Sequence, residues 1–203
     1  MKPIVVDIET SGMDKIRCGI WQIGAYDLQT GKEFLEESKI DDTDDIVSLG
    51  KKPVLEVIGK TEEELRDSNK QSQKQILKNF FSWVDKRYMK NFVCQNPQFD
   101  MAFLEIKARK YGLKIPFHYR AFDLHNIAQI RYHDLHKCFL IKDGLSDMGL
   151  SNILKFCGMK DNRKFHNALE DAKLTSECFS RLLYGKNLLE EYSKFKIPKE
   201  LIK

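Results

Sequence analysis

The sequence predicts an α/β fold in which helices pack on one mixed β-sheet. Three observations support this prediction: an apolar strand opens the chain, a hairpin pattern follows it, and strand and helix patterns then alternate to the end. The chain has 203 residues, of which 42% are hydrophobic, and it contains no repeat and no linker rich in Pro, Gly or Ser. This length and composition suit one sizeable core in one domain.

The first half of the chain predicts three strands and a long helix. A strand begins at Ile4, and "GIWQIGAYDLQTGKEFLEES" reads as two strands joined by a turn at Gln29-Thr30-Gly31. After an acidic loop at Asp41 to Asp45, apolar residues recur at helical spacing, so we predict a helix from about Lys70 to Lys90. Its buried face is expected to contain Ile76, Leu77, Phe80, Phe81, Val84 and Tyr88.

The second half of the chain continues with alternating strands and helices. "NFVC" at Asn91 to Cys94 suits a buried strand, and "FDMAFLEIKARKYG" follows as a helix that ends at Gly112. A further strand is expected near His118 to Phe122. Three more helices are expected at about Leu124 to Tyr132, Leu145 to Cys157 and Ala168 to Tyr184. Sheets of this kind place functional sites at the ends of their strands.

Two acidic residues, Asp7 and Glu9, stand two positions apart in the first strand. Side chains at this spacing share a face, while Ile4, Val6 and Ile8 point the other way. Two like charges on a core strand are costly unless something neutralises them, and a divalent cation is the usual answer. A solvated edge strand would accommodate the same residues, and this stretch alone does not distinguish the two interpretations.

Two further acids and a histidine stand out by position. Asp100 follows a buried strand at the start of a helix, where the helix dipole favours an anionic side chain. Asn167 followed by Glu170 resembles a capping box, which places His166 outside the helix and Asp171 in its second turn. Residues five apart on a continuous helix point roughly 140° from each other. His166 and Asp171 therefore converge only if the helix begins between them.

These residues lie in three motifs that resemble those of the DEDDh class of DnaQ-like 3′→5′ exonucleases. The motifs are "VVDIETSGM", "QNPQFDMAFL" and "HNALEDA", in the order of that family. "QIGAYDLQTG" resembles its second-strand signature, and "KKPVLEVIGKTEEEL" at Lys51 to Leu65 resembles the segment that helps to hold the terminal nucleotides. The resemblance spans about Ile4 to Phe179, and it implies a ribonuclease H-like fold with a central mixed five-stranded sheet flanked by helices.

The resemblance also implies catalytic roles. Asp7, Glu9, Asp100 and Asp171 match the carboxylates that bind two Mg²⁺ or Mn²⁺ ions, and His166 matches the general base. Two hard cations about 3.5–4 Å apart can activate a water and stabilise the leaving 3′ oxygen. The implied reaction is hydrolysis of phosphodiester bonds at single-stranded DNA or RNA 3′ ends, with release of nucleoside 5′-monophosphates.

Residues in and near the motifs are expected to contact this substrate. Met13 matches the apolar wedge that the family places against the terminal bases, although core packing would explain it equally well. Thr10 lies where the family contacts the 3′-terminal sugar. Asn96, Phe99 and Phe103 occupy positions that could shape the groove, with Phe99 more typical of core packing.

Two positions depart from the family pattern. Gln95 stands where relatives often have His before the Asn, and Ile58 stands where proofreading-type relatives often have His beside the terminal nucleotide. We expect catalysis to survive both departures. An apolar Ile58 in the substrate-binding set means that a DNA-proofreading preference does not follow from the resemblance.

Two other classes of function fit part of the pattern. A catalytically silent nucleic-acid-binding module of the same fold is expected to have lost a carboxylate or the histidine, and all five residues are present. A metal-dependent phosphatase of unrelated α/β fold would use Asp7 as an aspartyl nucleophile at a strand end. The pairing of His166 with Asp171 would have no role in that reaction.

The net charge and the cysteine content say little about the function. The net charge of +4 comes from scattered Lys and Arg residues, so it permits nucleic-acid binding without demonstrating it. The five cysteines are odd in number and contain no CxxC pair, which predicts reduced thiols. "HDLHKC", with His133, His136 and Cys138, lacks the second ligand pair of a structural zinc site.

The ends of the chain carry the remaining expectations. Met1 leads straight into a strand without a leader, and no apolar run approaches the roughly 18–20 residues of a membrane span. We therefore expect a cytoplasmic protein that does not associate with membranes. Residues 1–185 are expected to form the exonuclease domain, and the mixed-charge tail 186–203 either packs on that domain or binds a protein partner.

Overall fold

The structure of the protein is a computed structural model that describes residues 2–48 and 53–202. Lys51 and Lys52, which begin the segment expected to hold the terminal nucleotides, lie outside these ranges. The main sheet has five strands, β1 (Ile4–Thr10), β2 (Ile20–Asp27), β3 (Glu33–Glu37), β4 (Phe92–Cys94) and β5 (Phe122–Asp123).

The five strands lie in the order β3-β2-β1-β4-β5. β2 is antiparallel to both of its neighbours, β1 and β3, whereas β4 pairs in parallel with β1 and β5 in parallel with β4. The predicted mixed five-stranded sheet flanked by helices is therefore confirmed. Since β1 is the central strand, the interpretation of Asp7 and Glu9 as residues of a solvated edge strand is wrong.

Helices cover both faces of the sheet. In the described part of the chain they are α1 (Val54–Ile58), α2 (Glu62–Leu65), α3 (Gln73–Asp85), α4 (Pro97–Lys110), α5 (Leu124–His136), α6 (Leu150–Phe156) and α7 (Ala168–Tyr184). Apolar residues of α3 and α4 pack on one face, and those of α5, α6 and α7 on the other. No helix among the described residues is both long and apolar enough to cross a membrane.

Strand alternation in β1 decides which face carries the acids. The layer of α3 and α4 receives Ile4, Val6 and Ile8, as predicted. Val5 belongs to the opposite layer, so Asp7 and Glu9, two and four residues further on, share its face and look toward α7. A β-bulge between Glu9 and Thr10 ends the regular pairing with β2. Bulges of this kind re-aim the strand at its end.

Several predicted bounds need correction. α3 ends at Asp85, so Tyr88 lies beyond the helix and is 85% exposed rather than buried. The strand expected near His118 consists only of Phe122–Asp123. The helix expected from Leu145 begins at Leu150 instead.

A short hairpin precedes α6 in place of its predicted first turn. Its strands are β6 (Ile141–Lys142) and β7 (Leu145–Ser146). The two loop residues, Asp143 and Gly144, both have positive φ, at 51° and 76°. An Asp-Gly loop with positive φ at both positions is the preferred connection of a two-residue hairpin.

Residues 186–202 pack against α7. Leu201 is fully buried in the layer of α5 to α7, and Leu188, Leu189, Tyr192, Phe195 and Ile197 are partly buried beside it. Arg181 of α7 donates to the carbonyl oxygens of Tyr192 and Phe195 at 3.0 and 3.1 Å. Of the two expectations for the tail, the structure therefore supports packing on the domain, while the boundary at residue 185 stays a prediction.

We predict that Leu201→Ala destabilises the whole domain, because it empties a fully buried site in the core. The expected loss in the free energy of unfolding is about 2–5 kcal/mol, measured by urea denaturation. Ile202→Ala is the matched control, since Ile202 is 56% exposed and its truncation should change stability little. Equal stability of the Leu201→Ala variant and the wild type would mean that the tail does not belong to the cooperative core.

Candidate active site

Four carboxylates and one histidine converge at the end of β1 that leads into the bulge. Asp7 and Glu9 come from β1, Asp100 from α4, Asp171 from α7, and His166 from the loop before α7. All five line one cavity of about 270 Å³. The side chains of Glu9, Asp100 and Asp171 are buried, whereas those of Asp7 and His166 are partly exposed. The structure thus brings together every residue for which the motifs imply a catalytic role.

Asp100 is held from two sides. Its Oδ1 accepts a hydrogen bond from the backbone N–H of Ile8 at 3.1 Å, and its Oδ2 accepts one from the Cys94 thiol at 2.9 Å. Asn96, the residue before α4, has the left-handed backbone angle φ 66°, and Asp100 lies in the first helical turn. The end of β4 and the start of α4 together therefore fix this carboxylate beside β1.

The start of α7 brings His166 and Asp171 together. Asn167 caps the helix in an extended conformation, and its side chain accepts a hydrogen bond from the N–H of Glu170 at 3.1 Å. His166 Nδ1 lies 3.4 Å from Asp171 Oδ2 and 4.0 Å from Glu9 Oε1. The prediction that the helix begins between His166 and Asp171, so that both face one pocket, is confirmed.

Gly24 of β2 allows this helix start to approach the sheet. A Cβ atom at Gly24 would lie 2.2 Å from the carbonyl carbon of Ala168, the first residue of α7. The backbone N–H of Ala168 also donates a hydrogen bond to Gln22 Oε1, again on β2, at 2.8 Å. The absence of a side chain at Gly24 and the amide of Gln22 together set the depth at which Asp171 enters the cavity.

The electrostatics of the cavity are those of crowded like charges. Desolvation, followed by repulsion from the other three carboxylates, raises the pKa of Asp7 well above its ordinary value. Burial raises the pKa of Glu9 in the same way. Burial also raises the pKa of Asp100 to about 7, against the hydrogen bonds from Cys94 and Ile8. The pKa of Asp171 is raised by burial, which the Arg163 guanidinium opposes.

Two buried oxygens in the cavity, Glu9 Oε1 and Asp171 Oδ1, accept no hydrogen bond from any described residue. Orphaned buried acceptors are costly, and they need a partner of positive character. Ligand atoms of Asp7, Cys94 and Asp100 lie within 4.8 Å of one another, as do those of Glu9, His166 and Asp171. The four carboxylates supply the hard oxygen donors that Mg²⁺ and Mn²⁺ prefer, so these residues fit a divalent-cation site.

Arg163 is a charged residue of the cavity that the sequence analysis missed. Its Nη1 donates to Asp171 Oδ2 at 2.9 Å, and its side chain is only 8% exposed. Its only signal in the sequence is its place three residues before His166, in a loop that also contains Lys160 and Lys164. Such a position does not distinguish a buried arginine from a solvated one.

Three of the expected substrate contacts lie at the cavity. Thr10, Met13 and Asn96 all line it. Thr10 is buried, and its hydroxyl donates to the carbonyl oxygen of Gly12 at 2.7 Å. Met13 is 51% exposed, so the alternative that it packs in the core is wrong.

One expected substrate contact needs correction. The Phe103 ring is fully buried in the core, whereas Phe99, one helical turn nearer the start of α4, lines the cavity. The prediction that Phe103 shapes the substrate groove is therefore wrong, and of the two rings it is Phe99 that lines the cavity. The side chain of Ile58 is 2% exposed, because it packs in a small cluster with Trp21, Ile40, Val54 and Leu65. Ile58 also lines a neighbouring pocket together with His166, so its contact with the terminal nucleotide stays a prediction.

His133, His136 and Cys138 form no metal cluster in the ranges that the structure describes. His133 and His136 belong to the last turn of α5, where their rings contact Phe139 and Tyr132 respectively. Cys138 is exposed.

We predict that the metal-free protein is less stable at pH 8 than at pH 5.5. A buried carboxyl whose folded-state pKa is raised costs no stability below its unfolded pKa, near 4, and costs progressively more up to its folded pKa, about 7 for Asp100. Asp100→Asn should therefore raise the melting temperature in EDTA at pH 8 and have little effect at pH 4.5. Thermal unfolding of both proteins across this pH range checks the prediction. A melting temperature of the wild type that rises steadily from pH 5.5 to pH 8 would contradict it.

Comparison with known proteins places this geometry in a family. Residues 2–183 match the model of the Rv2179c-like 3′-5′ exoribonuclease domain. Over 182 residues the chain is 27% identical to a DNA polymerase III of PolC type from Caldanaerobacter subterraneus subsp. tengcongensis. That alignment covers 89% of this chain and 11% of the polymerase, so the chain spans only about a tenth of the length of this relative.

Solved structures of exonucleases share the fold. The structure of a 3′-exonuclease with specific recognition of the histone mRNA stem-loop matches with a TM-score of 0.66 and 14% identity, over 92% of this chain and 83% of that one. Cell-death related nuclease 4 (CRN-4) matches with a TM-score of 0.67 and 15% identity, over 90% and 63%. Exonuclease I of E. coli in complex with a dT13 oligonucleotide matches with a TM-score of 0.66 and 18% identity, over 89% and 41%.

These matches confirm the predicted resemblance to DnaQ-like exonucleases and the ribonuclease H-like fold. The phosphatase interpretation is wrong, because it required an α/β fold unrelated to that of these exonucleases. The family model covers almost the whole of the described α/β domain, including every residue of the cavity. The chain belongs to the Rv2179c-like 3′-5′ exoribonuclease domain family.

Proposed function

We propose that this chain hydrolyses single-stranded 3′ ends one nucleotide at a time, with RNA as its preferred strand. The observation that carries the proposal is the convergence of four carboxylates on one cavity, where two of their buried oxygens accept no hydrogen bond from a described residue. The family description supports RNA rather than DNA. Residues 1–185 are proposed as the catalytic domain, with residues 186–203 as part of the same folded unit.

Two divalent cations, Mg²⁺ or Mn²⁺, are proposed as cofactors. Asp7, Glu9, Asp100 and Asp171 would hold them, since hard cations prefer such carboxylate oxygens. When bound, the cations would supply Lewis-acid stabilisation of charge on the phosphodiester and activation of a water. They would also neutralise the repulsion that helps to raise the pKa values of Asp7 and Glu9.

His166 is proposed as the general base. Its Nδ1 faces Asp171 Oδ2 at 3.4 Å, so a proton on Nδ1 would be held by this carboxylate. Nε2 of that tautomer carries a lone pair, which can accept the proton of the attacking water. The His166 side chain is 47% exposed, which leaves room for a water and a substrate phosphate beside it.

Residues at the mouth of the cavity are proposed to hold the terminal nucleotides. Met13 is exposed there, and its flexible thioether side chain suits an apolar contact with a base. The partly buried ring of Phe99 and the exposed amide of Asn96 line the same cavity. Thr10 is proposed to contact the terminal sugar through its backbone and its hydroxyl oxygen.

A gel assay tests the proposal directly. RNA and DNA of one sequence, labelled at the 5′ end, are incubated with Mg²⁺, with Mn²⁺ and with EDTA. We predict a metal-dependent ladder that shortens from the 3′ end, faster on RNA, and its loss in Asp7→Ala because a metal ligand is missing. Asp134→Ala, an exposed acid on α5, is the matched control and should retain full activity. Near-wild-type activity of Asp7→Ala would refute the proposed site, and binding of RNA without cleavage would favour the silent module.

The base role of His166 gives a second prediction. His166→Ala should lower kcat by about 10²- to 10⁴-fold, while KM for an RNA oligonucleotide stays close to the wild-type value. His133→Ala provides the control, because this histidine of α5 lies in the part of the helix that contacts Phe139. A rise in KM with kcat unchanged would assign His166 to substrate binding instead.

A further inference from the structure

Arg163 lies between two aspartates in the loop that joins α6 to α7. On one side its Nε and Nη2 donate to the two oxygens of Asp161 at 2.9 and 2.6 Å. On the other side its Nη1 donates to Asp171 Oδ2 at 2.9 Å. Asp161 therefore binds the guanidinium through two parallel hydrogen bonds, and the third nitrogen of the guanidinium points at Asp171.

Ser151 of α6 binds both Asp161 and Arg163. Its hydroxyl donates to Asp161 Oδ2 at 2.6 Å and accepts a hydrogen bond from Arg163 Nη2 at 3.2 Å. The backbone N–H of Arg163 also donates to Asp161 Oδ1 at 3.2 Å. Because all three nitrogens of the guanidinium already have an acceptor, Arg163 suits the holding of a protein group better than the binding of a substrate phosphate.

The contact selects the role of each Asp171 oxygen. Oδ2 accepts from Arg163 and lies 3.4 Å from His166 Nδ1, whereas Oδ1 is buried without a described partner. A carboxylate free to rotate could exchange these two oxygens. The rigid guanidinium favours one orientation, in which Oδ1 is the oxygen left for a cation.

We propose that Arg163 is a positioning residue for the metal site: clamped by Asp161 and Ser151, it fixes Asp171 so that Oδ1 is presented to a divalent cation while Oδ2 orients His166. The inference rests on the proposed function for the role of Asp171. Arg163 lies outside the three motifs that contain the four carboxylates and His166.

Binding of Mn²⁺ alone, measured by isothermal titration calorimetry without nucleic acid, tests the inference. Arg163→Lys keeps the charge but loses the planar fork, so a purely electrostatic role would leave the Mn²⁺ affinity unchanged. We predict that the affinity falls by about tenfold, as for other groups that orient a metal ligand. Lys160→Ala, an exposed residue in the same loop, is the control and should bind Mn²⁺ as the wild type does.

A double-mutant cycle identifies the route of the effect. If Arg163 acts through Asp171, Arg163→Lys should change the Mn²⁺ affinity little in an Asp171→Asn background. Ser151→Ala removes the hydrogen bonds of the Ser151 hydroxyl to Asp161 and Arg163 without changing any charge, so it should lower the Mn²⁺ affinity by a smaller factor. This variant replaces Arg163→Lys as the test if Arg163→Lys fails to fold. Wild-type affinity in both Arg163→Lys and Ser151→Ala would overturn the inference, as would a loss that persists in full beside Asp171→Asn. Absence of Mn²⁺ binding to the wild type would instead refute the proposed function itself.

Discussion

The mutual repulsion of four carboxylates at the end of β1 is the constraint around which this part of the structure is arranged. Burial raises the pKa values of all four carboxyls, and repulsion from neighbouring carboxylates raises those of Asp7 and Glu9 further. Two of the buried oxygens accept no hydrogen bond from a described residue. A cluster of this kind opposes folding unless cations bind it, so its stability and its proposed function depend on the same ligand.

The carboxylates are held in place by the central strand, by the packing of α7 on β2 and by hydrogen bonds from neighbouring side chains. Asp7 and Glu9 lie on the central strand, between two apolar layers. Gly24 and Gln22 of β2 fix the start of α7, which carries Asp171. Arg163 places a guanidinium against the cluster, and its own position is set by Asp161 and Ser151. The cavity is therefore organised by hydrogen bonds and by backbone approach before any cation is considered.

Sequence patterns predicted the elements with strong end signals best. The bounds of α7 agree with the prediction because Asn167 caps its start and Gly185 ends it in a left-handed conformation. The β6–β7 hairpin was missed, although Asp143-Gly144 is a strong turn signal, because strands of two residues show no alternation. Tyr88 was misplaced because the apolar period continues past the point where α3 ends.

The cluster of four carboxylates and His166 could be predicted because its residues lie in motifs that resemble those of a known family, whereas the positions of the side chains around it could not. Phe99 and Phe103 both suit a helix with apolar faces, and only the tertiary packing shows that Phe99 reaches the cavity and Phe103 the core. Arg163 pairs with Asp161 two residues away and with Asp171 across the start of α7. Its burial depends on that loop geometry, which no local pattern encodes.

The most direct test of the metal site is a crystal structure of the protein soaked in Mn²⁺, with anomalous diffraction recorded to locate the ions. The account predicts two anomalous peaks per chain among the oxygens of Asp7, Glu9, Asp100 and Asp171. A cavity without anomalous density at a saturating Mn²⁺ concentration, or peaks confined to other parts of the surface, would contradict it.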